Sequence, residues 1–428
     1  MREMKNSNIQ WLGQYPRNWK LERIKYCLQD RVEKNSPIRT KSILSLTAKQ
    51  GVIPYDQKEG GGNKPKEDLT AYRLAYPGDI VMNSMNILSG AVGLSKYFGC
   101  VSPVYYMLRP RNKQEDVRYY NYIFQTRMFQ RSLYGLGNGI LIKESGNGKL
   151  NTIRMRIPME KFGALMIPVA PPSEQKTISD FLDSKCSEID VISAAIQKEI
   201  EILEQYKRSV ITEAVTKGLN PDAEMKDSGV PWIGKMPANW TCIKGKYILK
   251  YMQKPVKTDD GVITCFRDGE VTLRSKRRED GFTMADKEIG YQGIDVGDLV
   301  VHGMDGFAGA IGISDSRGKA SPVLNVLESR QNKKYTMYYL RSMAYGDVFA
   351  ALATGIRVRS CDLRWNKLSE LLYPVPPLEE QAEIVKYIED TLNKANVIIK
   401  EKKQQLDVLD SYKKSLIYEY VTGKKEVV

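Results

Sequence analysis

Few residues in this sequence have the types and spacings that metal or nucleophilic chemistry requires. His302 is the only histidine, and the six cysteines include no Cys-x-x-Cys pair. A zinc site built from cysteine and histidine is therefore not expected. The cysteines are instead predicted to be free and mostly buried thiols, as is usual in a reducing compartment. We predict no metal site in this chain.

Sequence motifs for nucleotide or cofactor binding are also missing. No G-x-x-x-x-G-K-[ST] run is present. The segment GLGNG at 135–139 lacks the strand–loop–helix context and the later acidic residue of a dinucleotide-binding loop. A base methyltransferase would need an Asn/Asp-Pro-Pro-aromatic run, whereas the two Pro-Pro pairs here lie in APPS and VPPL. The sequence therefore predicts a chain without a catalytic site or a cofactor of its own.

The charge of the chain indicates a polyanionic partner instead. Lys and Arg outnumber Asp and Glu by 65 to 51, a net charge of +14. Residues 1–170 alone hold 27 basic against 13 acidic residues. Nucleic acid is the natural partner for such an excess, although a solvated basic surface would have the same composition.

The elements that must position any binding residues occur twice. WLGQYPRNW at 11–19 returns as WIGKMPANW at 232–240, and PGDIVMNSMNILSGAVGLS at 77–95 returns as VGDLVVHGMDGFAGAIGIS at 296–314. PVAPPSEQKTI at 168–178 pairs with PVPPLEEQAEI at 374–384, and Tyr119-Tyr120 aligns with Tyr338-Tyr339. This constant order indicates a tandem duplication of a two-part unit.

Each copy is predicted to end in a long helix that begins after a Pro-Pro pair. In the first copy Ser173 is the expected N-cap, Glu174 lies in the first turn and Gly218 ends the helix. Apolar residues recur every seven positions, which favours pairing of the two helices within the chain as an antiparallel coiled coil. The predicted seam comprises Leu182, Ile189, Ile192, Ile196, Leu203, Tyr206, Val210, Ile388, Ala395, Ile398, Leu409, Tyr412 and Leu416.

The part of each copy before the helix is predicted to be an α+β domain. GDIVMNSMN, AVGLSKYF and VYYMLRP have the pattern of short strands, and DVRYYNYIFQTRMFQRSLYG that of one amphipathic helix. The predicted domains are 1–170, a helix over 171–219, a second domain over 220–375 and a second helix over 376–428. An antiparallel helix pair would make this arrangement pseudo-two-fold symmetric.

The repeated Trp-x-Gly-x-x-Pro-x-x-Trp phrase, the Gly-Asp-Ile/Leu-Val block and the Pro-Pro helix start closely resemble specificity subunits of type I restriction–modification systems. The resemblance covers essentially the whole chain. It implies two target recognition domains, small mixed α/β domains with twisted sheets, each recognising one half of a split double-stranded DNA sequence. It also implies that the two helices act as a spacer and dock two methyltransferase subunits, which restriction subunits then join.

The sequence has neither an apolar run long enough to span a bilayer nor a signal-peptide core at its N-terminus, so we expect a cytoplasmic protein. The resemblance further implies a non-catalytic subunit that directs methylation, expected on adenine, or cleavage. S-adenosylmethionine and ATP would belong to the partner subunits. Two alternatives stay open from the sequence. A coiled-coil adaptor could join two proteins without contacting DNA, or the chain could be a self-sufficient DNA-modifying enzyme. A nuclease site at Asp298 and Asp305 is disfavoured because the matching residues, Asp79 and Asn86, do not preserve the pair.

Under this resemblance, DNA contacts are expected where the two copies diverge rather than where they agree. Asparagine can bond adenine through two hydrogen bonds, a carboxylate can accept from cytosine, and basic residues bind phosphate or guanine. The polar positions after the Gly-Asp block and the basic, Gly-rich stretches before each hinge fit these roles. The predicted contacts are Asn83, Ser84, Asn86, Lys143, Lys149, Arg154, Arg274, Lys276, His302, Asp305, Arg357 and Arg359.

Overall fold

The computed structural model describes residues 2–47, 50–58, 64–137, 143–144, 150–151, 156–277, 288–352 and 363–427. The chain divides into two compact units. Unit 1 comprises Met1–Ala195 and Gln404–Val428, and unit 2 comprises Ile196–Lys403. Each unit therefore combines one α+β domain with a segment from each of the two long helices.

The elements of unit 1 are short strands and helices followed by one long helix. They are β1 (Met4–Asn6), β2 (Gln14–Pro16), β3 (Lys20–Arg23), α1 (Ile24–Cys27), β4 (Leu28–Asp30), β5 (Leu44–Thr47), β6 (Gly51–Pro54), β7 (Arg73–Ala75), β8 (Ile80–Asn83), β9 (Val92–Leu94), β10 (Gly99–Val101), β11 (Tyr105–Pro110), α2 (Val117–Gln125), α3 (Arg127–Ser132), β12 (Lys143–Glu144), β13 (Leu150–Asn151), α4 (Met159–Gly163), β14 (Met166–Val169) and α5 (Pro172–Lys217), which continues into unit 2.

The elements of unit 2 repeat this order. They are β15 (Met225–Asp227), β16 (Lys235–Pro237), β17 (Thr241–Lys244), α6 (Gly245–Ile248), β18 (Leu249–Met252), β19 (Ile263–Cys265), β20 (Val271–Leu273), α7 (Arg274–Arg277), β21 (Gln292–Ile294), β22 (Leu299–His302), β23 (Ile311–Ile313), β24 (Gly318–Ala320), β25 (Leu324–Ser329), α8 (Lys333–Tyr345), α9 (Val348–Ala351), α10 (Trp365–Leu368), β26 (Leu372–Val375) and α11 (Leu378–Val421), whose last residues belong to unit 1.

The central sheet is the same in both units. Four antiparallel strands lie in the order β4-β11-β8-β9 in unit 1 and β18-β25-β22-β23 in unit 2. Ile80 pairs with Leu108 in the first sheet, and Leu299 pairs with Leu327 in the second. These side chains are almost completely buried, so burial of the apolar faces fixes the strand register. The predicted strands and the predicted α+β fold class are confirmed.

The predicted single helix over residues 116–135 is wrong in one respect, because the structure divides it into α2 and α3. Thr126 between them has an extended backbone, and its hydroxyl accepts a hydrogen bond from the Phe129 N–H. Threonine favours a cap over a helix interior, since its hydroxyl bonds local backbone groups.

The equivalence of Tyr119-Tyr120 with Tyr338-Tyr339 is also wrong. The hydroxyl of Tyr119 lies 3.1 Å from both the Pro168 and the Val421 carbonyl oxygens. In unit 2 the hydroxyl of Tyr335 makes these contacts, 3.1 Å from the Pro374 and Val215 carbonyl oxygens. The counterpart of Tyr119 is therefore Tyr335, about one helical turn before the predicted position.

The long helices begin and end where proline and glycine signals place them. α5 starts at Pro172, so Ser173 lies inside the helix rather than at its N-cap. Proline suits this first position because its missing N–H would have no helical partner there. Gly218, directly after the helix, has a φ of 73° that glycine adopts without strain. In the first turn of α5, Gln175 Nε2 donates a 2.9 Å hydrogen bond to the carbonyl of Ala170, which stabilises the connection between the domain and the helix.

Within each unit the two helix segments run antiparallel, as the fold prediction requires. In unit 1 Asp190 accepts a 2.6 Å hydrogen bond from Lys413 Nζ, and the ring of Phe181 lies 4.5 Å from that of Tyr420. In unit 2 Lys402 forms an ion pair with Glu199. Lys402 breaks the apolar pattern of the second helix, and this ion pair accounts for its place there.

The seam differs from the prediction at its second position in each heptad. The predicted residues at that position are 41 to 53% exposed: Ile192, Tyr206, Ile398 and Tyr412. Burial instead falls four residues after each first position, as at Cys186 and Ile200 after Leu182 and Ile196. A sevenfold pattern alternates spacings of three and four. The sequence suggested the wrong spacing because the second seam positions in the structure include the polar residues Ser193 and Lys207, which are only half-buried. The other predicted seam residues are buried or half-buried: Leu182, Ile189, Ile196, Leu203, Val210, Ile388, Ala395, Leu409 and Leu416.

The second tryptophan of each repeated phrase joins the two helices to the domain. Trp240 is fully buried, and its indole N–H donates to Glu380 Oε1, in the first turn of α11, at 3.0 Å. A Cβ on Gly218, at the end of α5, would lie only 3.2 Å from the Trp240 ring. Trp19 makes the equivalent 2.9 Å bond to Glu174 Oε2. The repeated phrase therefore has a structural role in both units.

None of the helices in the described part of the chain is long and apolar enough to cross a membrane.

Candidate nucleic-acid interface

The turn that connects the two strands of the Gly-Asp block, β8 to β9 in unit 1 and β22 to β23 in unit 2, has the same backbone in both units and different side chains. In unit 1 the Asn86 carbonyl accepts from the N–H groups of Ser89 and Ala91, and in unit 2 the Asp305 carbonyl accepts from Ala308 and Ala310. The backbone angles agree as well, with φ and ψ of −123° and 13° at Asn86 and −105° and 1° at Asp305. Asn86 is exposed and Asp305 is half-buried. One scaffold thus presents an amide in one unit and a carboxylate in the other.

The residue that precedes this turn stabilises it in both units. Asn83 Oδ1 accepts from the Met85 N–H at 3.0 Å. His302 Nδ1 accepts from the Met304 and Asp305 N–H groups at 3.2 and 3.0 Å. Because Nδ1 accepts, the neutral imidazole carries its proton on Nε2. Burial lowers the pKa of His302, and this shift maintains the same neutral form.

A hairpin in unit 2 brings further charged residues to this turn. β19 and β20 pair from Ile263–Leu273 to Cys265–Val271, and the connection between them contains the Asp268-Gly269 dipeptide that such turns favour. The hairpin packs directly on the sheet, since a Cβ on Gly312 would lie 1.9 Å from the Gly269 carbonyl oxygen. Position 312 therefore requires glycine, because any side chain there would prevent this close contact between the hairpin and the sheet.

The hairpin and the turn enclose a polar cleft of about 700 Å³ in unit 2. Arg267 extends from the hairpin, and its Nη2 lies 2.9 Å from Asp305 Oδ1. The Arg267 side chain is 62% exposed and that of Asp305 is 37% exposed, so both can exchange partners at modest cost. The cleft is lined by Ile263, Thr264, Cys265, Phe266, Arg267, Asp268, Arg274, Arg277, His302, Asp305, Ser321, Val323 and Leu324.

Arginine and aromatic groups are held in fixed positions at the cleft wall. The guanidinium carbon of Arg277 lies 4.0 Å from the ring centre of Phe266, and Arg277 Nη2 lies 2.6 Å from Asp268. Burial alone would raise the pKa of Asp268, but its hydrogen bond with Arg277 lowers that pKa below the ordinary value. Asp268 is therefore a carboxylate at neutral pH. Burial also raises the pKa of the Cys265 thiol, so this cysteine is not a thiolate nucleophile.

The structure brings together three of the predicted contact residues, Arg274, His302 and Asp305, in this cleft. Lys276 lies outside the group that lines the cleft, and its Nζ donates to Ser316 Oγ at 2.7 Å. Of the three contacts predicted at the corresponding turn of unit 1, only Asn86 is exposed. Asn83 is 8% exposed, and Ser84 is fully buried and donates to the Val104 carbonyl at 2.6 Å, so the structure does not support them as direct base contacts.

Five predicted basic contacts precede the two hinges. Lys143 lies in β12, which pairs with β13, and its side chain is not described. Lys149, Arg154, Arg357 and Arg359 lie outside the described residues. In unit 2 the described chain resumes at the turn itself, where the Leu363 N–H donates to the Gly303 carbonyl at 2.8 Å.

Sequence reasoning missed Arg267, Phe266 and Arg277 as members of the cleft. The signal was available in part, because Asp268-Gly269 lies between two short alternating segments and so predicts a hairpin turn. What the sequence did not show is that this hairpin folds back over Asp305, which lies about 40 residues further along the chain.

Comparison with known proteins finds that this chain is similar to specificity subunits of type I restriction enzymes. No family model matches the sequence. The putative type I restriction enzyme MjaX specificity subunit of Methanocaldococcus jannaschii is 22% identical over 386 residues, covering 85% of this chain and 81% of the relative. The MjaVIII specificity subunit of the same organism is 24% identical over 373 residues, covering 82% and 81%. The EcoDI specificity subunit of Escherichia coli is 22% identical over 317 residues, covering 68% and 69%.

A structural comparison agrees with these sequence comparisons. A solved chain from work on complex assembly and conformational transition of the type I R-M system superposes with a TM-score of 0.65. The two chains are 12% identical, and the match covers 95% of this chain and 98% of that one. The predicted fold and the predicted resemblance are therefore both confirmed. This chain is a relative of type I restriction enzyme specificity subunits.

Proposed function

We propose that this chain is the DNA-recognition subunit of a type I restriction–modification system and catalyses no reaction itself. Unit 1 and unit 2 each recognise one half of a bipartite double-stranded DNA target. The observation that carries this proposal is the turn shared by the two units, which keeps its backbone while its side chain changes from Asn86 to Asp305. Recognition of two different half-sites would require a scaffold that is the same in both units and polar side chains that differ between them.

The chemistry of the tips suits the edges of DNA bases. The amide of Asn86 can donate to and accept from adenine, and the carboxylate of Asp305 can accept from the amino group of cytosine. Arg267, which now pairs with Asp305, can bond guanine through two hydrogen bonds if a base displaces the carboxylate. The exposed ion pair costs little to separate, because water and salt already weaken it.

Phosphate contacts would supply most of the affinity and little of the specificity. The basic excess of residues 1–170 fits this role. We retain Lys143, Lys149, Arg154, Arg357 and Arg359 as proposed contacts, because they flank each hinge in Gly-rich sequence. Arg274 lines the cleft, and its Nε donates to Thr264 Oγ1 at 3.3 Å. Its position among the residues that line the cleft makes Arg274 a proposed contact to a phosphate or a base.

The partners follow from the same assignment. Two methyltransferase subunits and the restriction subunits assemble on this chain, and they bring S-adenosylmethionine and ATP. The target recognition domains are residues 1–170 and 220–375, and the helices over 171–219 and 376–428 form the spacer between them. We place the complex in the cytoplasm. The free thiols found among the described cysteines, such as Cys100 and Cys265, support a reducing compartment.

Methylome sequencing of cells that carry this chain with its partner subunits tests the proposal directly. We expect one split motif in which methylation depends on the chain, and we expect Asp305→Asn to alter one half of that motif only. Asn86→Asp is the matched variant for the other half. A motif that stays the same in both variants would count against this turn as a base contact. Absence of any chain-dependent motif would contradict the function itself.

A DNA-binding assay separates this function from that of a coiled-coil adaptor. Fluorescence anisotropy of the purified chain with duplex DNA should show an affinity that falls steeply with salt, because bound phosphates release counterions. An adaptor that contacts only proteins predicts no such binding. Methyl transfer by the purified chain alone would instead support a self-sufficient enzyme.

A further inference from the structure

Two side chains of opposite charge meet in the cleft of unit 2, Arg267 from the hairpin and Asp305 from the turn. Both line the cleft, and they bond each other at 2.9 Å. An ion pair as exposed as this one contributes little to the stability of a fold. Its position between two rigid backbone segments suits a pair that binds a ligand instead.

The backbone on both sides of the Arg267 side chain is held by close contacts. In α8, Arg341 Nη2 donates to the Asp268 carbonyl at 2.7 Å. The Asp268 side chain is held as well, since Arg277 Nη2 lies 2.6 Å from it. A Cβ on Gly309 would lie 2.6 Å from the Arg267 carbonyl oxygen, so the end of the hairpin packs directly on the turn. The guanidinium therefore starts from a fixed point, which lowers the entropy that binding would cost.

The backbone of Asp305 is fixed in a comparable way. His302 Nδ1 accepts from the Asp305 N–H at 3.0 Å, and the Asp305 carbonyl accepts from the Ala308 and Ala310 N–H groups at 2.9 and 3.3 Å. The carboxylate accepts from Arg267 Nη2 at 2.9 Å. Both residues are thus anchored through their backbones, and their side chains form one charged group.

This group presents hydrogen-bond donors next to an acceptor. A guanidinium has N–H groups along the whole edge of a planar fork, and a carboxylate has several lone pairs, so both can bond a ligand while they bond each other. In the major groove, guanine presents the adjacent acceptors N7 and O6, and its cytosine partner presents the donor N4. O6 and N4 are themselves hydrogen-bonded, at about 2.9 Å as is usual for N–H···O. The 2.9 Å between Arg267 Nη2 and Asp305 Oδ1 matches this spacing.

An adenine–thymine pair does not offer the same order of groups. Its edge presents an acceptor at N7, a donor at N6 and an acceptor at O4. The amino group would then face a donor of the guanidinium, and O4 would face the carboxylate. Opposed like groups leave both partners without a hydrogen bond in a contact that excludes water, which is costly. The order donor, donor, acceptor therefore selects guanine–cytosine.

We propose that Arg267 and Asp305 act as one group that recognises a single guanine–cytosine pair in the half-site of unit 2. Arg267 bonds N7 and O6 of the guanine, Asp305 accepts from N4 of the cytosine, and the ion pair between them persists. This inference rests on the proposed function and names the base pair that the site selects. If the carboxylate were displaced instead, the two residues would contact different base pairs, and the experiment distinguishes the two cases.

Selection from a randomised pool of double-stranded DNA tests the proposal. The full chain, assembled with its methyltransferase subunits, binds the pool, and sequencing of the bound duplexes gives the base preference at each position. The wild type should enrich a split sequence with an invariant guanine–cytosine pair in one half. Arg267→Met and Asp305→Ala should each lower the preference at that same pair by at least about fivefold and leave the other half unchanged. The double variant should lose no more than about twofold beyond the larger single effect, because one contact is removed in each case.

Two further variants separate base recognition from general attraction to DNA. Arg267→Lys keeps the charge and removes the fork, so it should lower the preference for the pair while overall affinity changes less than about twofold. Lys250→Met removes a positive charge from an exposed position on β18, outside the cleft lining. It should leave the preference at every position unchanged. Melting curves identify any variant that has lost its fold, and Arg267→Lys then serves in place of Arg267→Met.

The outcomes that would overturn the inference differ from one another. Arg267→Met and Asp305→Ala might relax different positions, which would show that the residues contact separate base pairs. An unchanged preference in Arg267→Lys would make Arg267 a phosphate contact. A split sequence without an invariant guanine–cytosine pair would refute the inference and leave DNA recognition intact. Enrichment of no sequence by the wild type would refute the proposed function together with the inference.

Discussion

Trp240→Phe should destabilise unit 2 more than any other tryptophan-to-phenylalanine change in that unit. The substitution removes the indole N–H that donates to Glu380 at 3.0 Å and leaves a carboxylate oxygen without this donor. A hydrogen bond to a charged group contributes about 1.5–3 kcal/mol. The smaller ring also leaves part of a fully buried site unfilled, which adds about 1 kcal/mol. We therefore expect a loss of about 3 kcal/mol in the free energy of unfolding.

Calorimetry and hydrogen exchange can measure this loss and locate it. For a unit of 150–250 residues, 3 kcal/mol lowers the melting temperature by roughly 6–12 °C. Because the Trp240 ring also lies against Gly218, amide exchange in the last turn of α5, around Ala214 and Val215, should quicken as well. The matched control is Trp232→Phe, whose indole donates at 3.1 Å to the neutral hydroxyl of Tyr339 and should cost only about 1 kcal/mol.

A double-mutant cycle isolates the hydrogen bond from the loss of packing. Trp240→Phe and Glu380→Ala should show a coupling energy of about 1–2 kcal/mol, because each removes the same interaction. If the two changes add to within about 0.5 kcal/mol, the bond between them contributes nothing measurable. Equal effects of Trp240→Phe and Trp232→Phe would also refute the reasoning, since they would show that ring size alone matters.

The remaining predictions concern the cleft of unit 2. Asp305→Asn should weaken binding to DNA that carries the native half-site by about 1–3 kcal/mol if the carboxylate accepts from a base. Fluorescence anisotropy measures this loss, and DNA altered in the other half-site serves as the comparison. The pKa of His302 is lower in the folded protein than in the unfolded chain, where it is about 6.5. The neutral imidazole therefore stabilises the fold at pH values above about 6.5, and this contribution is lost as the pH falls. Wild type should therefore lose more stability than His302→Asn between about pH 7 and 5, and parallel melting curves for the two proteins would exclude the effect. Gly312→Ala should lower the free energy of unfolding of unit 2 by at least about 1–3 kcal/mol, because the added Cβ would clash with the Gly269 carbonyl oxygen. Gly93→Ala is the milder control and should lower it less, because its Cβ would lie 3.2 Å from Gly51.

The repeated motifs predicted the architecture well because they encode backbone requirements. Pro172 marks a helix start because its φ is fixed, and Gly218 marks a helix end because it adopts a positive φ without strain, and both signals survive whatever packs around them. The seam was predicted less well, since a sevenfold pattern leaves the choice between spacings of three and four to tertiary contacts. Ile192 and Lys207 show the difficulty, because the apolar residue is exposed and the charged one is half-buried.

The candidate interface could be predicted only where divergence between the copies was visible in one short segment. His302 and Asp305 belong to the repeat and could be compared with Asn83 and Asn86 directly. Arg267 has no such marker, because its place in the cleft depends on a hairpin that folds back onto Gly309 and Gly312. Side chains that meet through long-range packing leave no local pattern in a single sequence.

Under the proposed function, duplication also explains how structural and recognition roles can be separated within one chain. The buried tryptophans, Trp19 and Trp240, bond the helices in the same way in both units, so a change at either would disturb the scaffold whatever DNA is bound. Asn86 and Asp305 extend from a turn that is held by backbone carbonyl groups and by the side chain of the residue before it, so their own side chains can change at little cost to the fold. Under the proposed function, specificity can therefore vary at the turn while the contacts that join domain and helices remain fixed. His302 is the informative exception, because its side chain both supports the turn and lines the cleft. A substitution there must preserve an acceptor for the turn, which is why asparagine, the residue already present in unit 1, is the replacement that the fold should tolerate best.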